Sequence, residues 1–126
     1  MDDDFTWHTM QRLDKKGRPV AIGLEEWRDL VRRTPGLRLA SGDVVAVNPF
    51  TGEPMTSINF GDAEFHSGED WIRVYFWRQG DSPMKKDEGY IHFRTLAGGE
   101  PSQDPVHQLA VRLAGELRAK VFEEEA

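Results

Sequence analysis

Eight consecutive residues, Trp71-Ile72-Arg73-Val74-Tyr75-Phe76-Trp77-Arg78, constrain the fold more than any other part of the chain. β-Branched and aromatic side chains favour the pleated surface of a strand. Alternation along a strand sends Ile72, Val74 and Phe76 to one face and Trp71, Arg73, Tyr75 and Trp77 to the other. Both faces carry bulk, so the segment is expected in the middle of a sheet with one face under a helix. Such a strand needs neighbours to pair its backbone and an amphipathic element to cover it.

Two segments have the pattern of that cover. Leu24, Trp27, Leu30 and Val31 recur at helical spacing, with Glu25 and Glu26 in the first turn and Arg32 and Arg33 in the last, as the helix dipole favours. Thr34 precedes Pro35 and is pushed out of the helical region, which predicts a helix over residues 24–33. A second helix is predicted over residues 105–119. Asp104 caps it, Pro105 takes its first position, and Val106, Leu109, Leu113 and Leu117 form an apolar stripe widened by Ala110 and Ala114. Gly115 costs that helix about 1 kcal/mol against Ala, which points to a close backbone neighbour.

Phe5–Leu13, Val20-Ala21-Ile22, Leu37-Arg38-Leu39, Tyr90–Leu96 and Val121-Phe122 read as further strands. The sharpest turn signal is Asn48-Pro49-Phe50-Thr51-Gly52-Glu53, where proline presets φ and glycine supplies a left-handed residue. Val44–Asn48 and Glu53–Phe60 are therefore expected to form a hairpin, with Pro54 suited to an edge. Gly61–Asp70 reads as a polar, turn-rich connection anchored by Phe65, and Gln79–Gly89 as another polar connection. The fold class is then α+β: a mainly antiparallel sheet with both helices packed on one face. One domain over residues 1–126 is expected, with short acidic ends at 1–4 and 123–126 that are flexible.

Composition narrows function mostly by exclusion. The chain has no cysteine, which removes disulfides, thiolate metal sites and a cysteine nucleophile. A net charge of −6 argues against nucleic acid and against an anionic membrane surface, and leaves a basic protein partner open. Met1-Asp2-Asp3-Asp4-Phe5 lacks the basic start and apolar run of a secretory signal, so a cytoplasmic protein is expected.

No catalytic or metal-ligating set emerges. His8, His66, His92 and His107 have no helical metal-site spacing, although His8 and His92 could meet across neighbouring strands. Ser41, Ser57, Ser67, Ser82 and Ser102 show no nucleophile elbow. The adjacent carboxylates Glu69-Asp70 and Asp87-Glu88 would point apart on a strand, so neither makes an acid–base dyad. No catalytic residue, metal ligand or cofactor is assigned. Candidate partner-binding residues are Trp71, Arg73, Tyr75 and Trp77 on one strand face, with Glu69 and Asp70 beside them, because Trp, Tyr and Arg are typical interface anchors. The competing reading of that face is a core surface under the Val106–Leu117 helix.

Three motifs carry a family resemblance. They are Gly23-Leu24-Glu25-Glu26-Trp27, Pro35-Gly36-Leu37-Arg38-Leu39 and Val47-Asn48-Pro49-Phe50-Thr51-Gly52-Glu53. Together they resemble a group of short bacterial proteins that begin this helix with Thr or Ser before x-E-E-W, then carry P-x-L-R-L and N-P-x-T-G-E. Gly23 departs from the Thr or Ser of that pattern. Some members look like accessory or immunity-type proteins of bacterial toxin systems. The resemblance covers mainly the first half of the chain and carries over no catalytic residue. It implies a non-catalytic immunity or adaptor protein that binds a basic toxin or effector. A small-ligand or enzyme site on the sheet face using His8, His66 or His92 with Arg73 and nearby carboxylates is the alternative, and a homodimer pairing the edges of its sheets is a third reading.

Overall fold

A computed structural model describes residues 6–80, 88–96 and 100–123. The acidic ends at 1–4 and 124–126, and most of the Gln79–Gly89 connection, lie outside the described residues. In chain order the elements are β1 (Trp7–Leu13), β2 (Pro19–Val20), β3 (Ile22–Gly23), α1 (Leu24–Arg32), β4 (Leu37–Leu39), β5 (Val44–Val47) and β6 (Pro54–Ser57). They continue with β7 (Ala63–Ser67), β8 (Asp70–Gln79), β9 (Glu88–Arg94), a 3₁₀ turn (Pro101–Gln103), α2 (Pro105–Leu117) and β10 (Lys120–Glu123). The main sheet runs β10-β1-β9-β8-β7-β4, with β2 added to β1 and β3 to β9. All of these pairings are antiparallel, and among the described residues β5 and β6 pair only with each other. The expected α+β class is the one the chain adopts.

The aromatic run forms β8, flanked by β7 and β9. Its Tyr75 hydroxyl donates to the Val106 carbonyl of α2 at 2.7 Å, and its ring meets Trp27 of α1 edge-on at 6.1 Å. Both helices therefore cover the same face. Buried indoles there reach polar partners: Trp77 Nε1–H donates to Ile22 O at 3.0 Å and Trp27 Nε1–H to Gly61 O at 2.7 Å. Met10, Ile22, Trp27, Tyr75, Trp77, Ile91, Phe93 and Val106 share this core. Fully burying a side chain of the Val, Leu, Ile, Phe or Met kind stabilises a fold by about 1.5–3 kcal/mol.

The strand's two faces differ from simple alternation. Ala63 pairs with Tyr75, but the next residue, Glu64, pairs with Arg73, so Val74 is an extra residue in β8. Such a bulge places two successive side chains on one side. Val74 and Tyr75 both join the core, and Ile72 packs against it as well. Beyond the bulge the pattern is therefore inverted: Trp71 and Arg73 leave the face of Tyr75 and Trp77. Trp71 instead stacks on His66 at 4.6 Å and lies under the Arg38 guanidinium at 4.2 Å.

Three other expectations need correction. Gly61–Asp70 is not merely a connection, because Ala63–Ser67 forms β7, with Ala63 and Phe65 directed at the core. Gly115 has no close neighbour, since a Cβ there would meet nothing within 4 Å. Helix α2 stops at Leu117, because Arg118 turns left-handed at φ 57° and its own N–H and that of Ala119 bond back to the last turn. Its start follows expectation: the Asp104 carboxylate accepts from Val106 N–H at 2.9 Å and from Leu96 N–H at 2.8 Å.

Candidate functional site

The β5–β6 hairpin stands apart from the main sheet and is apolar where it meets water. Its turn is fixed locally: Asn48 N–H donates to Glu53 O, Gly52 N–H to Asn48 O, and the Asn48 side-chain oxygen accepts from Phe50 N–H, each at 2.8 Å. Gly52 sits at φ 76°, a conformation that glycine adopts without steric cost. Val45 pairs with Thr56, Ala46 with Met55 and Val47 with Pro54. Exposure is 64% at Val45, 65% at Val47, 95% at Phe50, 49% at Met55 and 57% at Ile58. Val45 and Val47 share one face of the hairpin and Met55 lies on the other, so neither face is buried.

A lone two-stranded hairpin is marginal in water, so this arm depends on how its root is held. The root is a polar network on the outer face of the sheet. The Arg73 guanidinium donates to Ser41 O at 2.8 Å, to Gly42 O at 3.1 Å and to the Asp62 carboxylate at 3.3 Å. Arg78 reaches the other Asp62 oxygen at 3.5 Å. Asn59 closes the far strand: its side chain donates to Ala40 O and accepts from Asp62 N–H, and its backbone N–H donates to the Asp43 carboxylate, all at 2.8 Å. Arg28 of α1 donates through Nε to Phe60 O at 2.9 Å. Burial pushes the Asp62 carboxyl above its usual range, and the Arg78 and Arg73 charges oppose that shift without cancelling it.

The six residues expected to contact a partner do not form one surface. Tyr75 and Trp77 are fully buried and serve the core under the helices. This corrects their placement beside Trp71 and Arg73, and the bulge is the cause. Trp71 and Arg73 lie on the outer face, where Arg73 anchors the arm. Glu69 and Asp70 are exposed at the β7–β8 turn. The exposed apolar residues of the arm were missed as a site. Their signal is the unbroken run Val44-Val45-Ala46-Val47, which has no polar alternate position to mark a solvent face.

His8 and His92 do not converge; His8 instead meets His107 of α2 edge-on at 4.9 Å. Thr9, not His8, pairs with His92, so His8 and His92 point to opposite faces of the sheet and do not meet. His8 is buried on the helix side, with Nε2 2.8 Å from Thr6 Oγ1 and its ring stacked on Phe93. His92 stacks on Trp7 at 4.3 Å on the outer side. Among the described residues no group of three or more His, Asp or Glu is placed to hold a metal ion. Among the same residues no helix is long and apolar enough to cross a membrane.

No family model, no curated protein and no solved structure matches this chain.

Proposed function

We propose that this chain is a non-catalytic protein-binding domain that engages its partner through the β5–β6 arm. The observation that carries this reading is the set Val45, Val47, Phe50, Met55 and Ile58, all exposed on a hairpin that pairs with no other strand among the described residues. Clustered exposed apolar side chains mark interaction surfaces, whereas scattered ones do not. Residues 43–60 contain Asp43 and Glu53 and no Lys or Arg. The complementary surface is thus apolar with basic groups around it. An immunity- or adaptor-type role against a basic toxin or effector fits that chemistry, the net charge of −6 and the motif resemblance. The alternative, a small-ligand or enzyme site, draws little support from His8 and His92, which lie on opposite faces of the sheet; His8 and His107 do meet, at 4.9 Å, but among the described residues no third His, Asp or Glu joins them as a metal site.

The test is co-expression with the product of the neighbouring gene. Wild-type chain is expected to co-purify with it. Val47→Asp and Phe50→Ser, with unchanged circular dichroism, are expected to lose about tenfold or more in affinity, as central apolar anchors do. Undiminished binding by both folded variants would contradict the assignment of the arm.

A further inference from the structure

On the helix side, α1 and α2 leave a cleft of about 470 Å³. Leu30, Leu109, Leu113 and Pro35 give it apolar walls. Gly115 keeps the α2 side open, since nothing lies within 4 Å of where its Cβ would be. Thr34 and the charged residues Arg33, Arg112 and Glu116 form the polar part of the lining, with Arg33 and Glu116 4.0 Å apart. The cleft therefore has two cations against one carboxylate, while the arm has two carboxylates and no cation. Its volume lies within the range of roughly 300–1,000 Å³ typical of pockets that enclose a compact apolar group.

Arm and cleft complement each other in polarity and charge. We infer that the arm of one copy seats in the α1–α2 cleft of a second copy of this chain, with Phe50 against Leu109 and Pro35, above the nearly enclosed Leu30 and Leu113, and Glu53 facing Arg33 and Arg112. Each copy carries one arm and one cleft, so a two-fold axis creates two identical contacts and closes the assembly as a dimer. This rests on the reading of the arm as a protein-binding element and names one partner for it. Gly115 lies in the last turn of α2, and its absent side chain leaves room there for an incoming ring.

Sedimentation equilibrium of the full chain tests this. Wild type is expected at twice the chain mass of 14.4 kDa at micromolar concentration and above. Phe50→Ser removes the arm's anchor and Gly115→Trp fills the cleft. Each is expected to sediment as a monomer with the circular dichroism of wild type. An equimolar mixture of the two is expected to regain dimer, because the intact arm of G115W meets the intact cleft of F50S. If G115W departs from that spectrum, Arg112→Glu, a change at an exposed residue, replaces it as the cleft variant. Monomeric wild type overturns the inference, and so does a dimer that survives the cleft variant or a mixture that stays monomeric. A monomer that still binds the neighbouring gene's product through its arm overturns the second-copy inference alone and leaves the protein-binding reading intact.

Discussion

The Arg73 guanidinium lies 3.3 Å from the Asp62 carboxylate and also holds the Ser41 and Gly42 carbonyls, so one side chain of the central strand ties the arm's root to the sheet. Asp62 is almost wholly enclosed while Arg73 keeps part of its surface in water. The pair joins strand geometry to function. The bulge turns Arg73 outward, and its outward direction is what lets it reach the loop that launches the hairpin.

Arg73→Ala is expected to loosen the arm without unfolding the core. Removing a charged donor from enclosed acceptors costs about 1–3 kcal/mol. Amide hydrogen exchange should accelerate across residues 44–57, while Tyr75, Ile91 and Phe93 keep their protection. Uniform loss of protection through the sheet would show that Arg73 supports the whole fold rather than the arm.

Asp62 sets a pH dependence with a definite sign. Its folded-state pKa is raised above 3.8 by burial, so the native state holds this proton more tightly than the unfolded chain does. The associated stability is fully present below the unfolded value and is lost as pH rises through the folded one. Asp62→Asn removes that titration. The unfolding free energy of the variant minus that of wild type should therefore shift in the variant's favour between about pH 3 and about pH 6. Urea titrations across this window measure the shift, and a change in the opposite direction would mean that the two arginines outweigh the burial.

Tyr75→Phe should cost stability and leave partner binding unchanged. The lost bond to the Val106 carbonyl is worth about 1 kcal/mol, and the ring stays packed. Chemical denaturation gives the cost, and co-purification gives the second part. Loss of partner binding by a folded Y75F would return this residue to the binding surface.

Gly89→Ala should be severely destabilising. A Cβ at this position would sit 1.9 Å from the Arg78 carbonyl oxygen and 2.9 Å from the Trp77 ring, and a backbone atom cannot move aside as a flexible side chain can. A loss of about 3 kcal/mol or more is expected, beyond ordinary overpacking. A thermal midpoint within a few degrees of wild type would show that β8 and β9 tolerate separation there.

Much of the fold was legible because local chemistry and global packing agree. The Asp104-Pro105 start, the Leu24–Val31 stripe and the Asn48–Glu53 turn each specify an element without help from distant residues. The bulge was not legible. With bulky residues at Ile72, Val74, Tyr75 and Phe76, hydrophobicity alone does not reveal where alternation breaks. That hidden break also scattered the expected binding residues, since it put Trp71 and Arg73 outside and left Tyr75 and Trp77 inside. The arm shows a different limit. The turn predicts that a hairpin forms, but its exposure depends on whether the rest of the chain covers Val45, Val47 and Phe50, which is a property of the whole fold.

Hydrogen exchange on the Gly115→Trp chain, whose arm is free of a second copy, with and without the neighbouring gene's product, supported by the same comparison for F50S, probes the binding surface most directly. Protection gained on complex formation should concentrate in residues 44–58 and disappear in F50S. Protection confined to the outer sheet face around Trp7, Phe76 and His92, with the arm exchanging as freely as before, would contradict the assignment of this hairpin as the binding element.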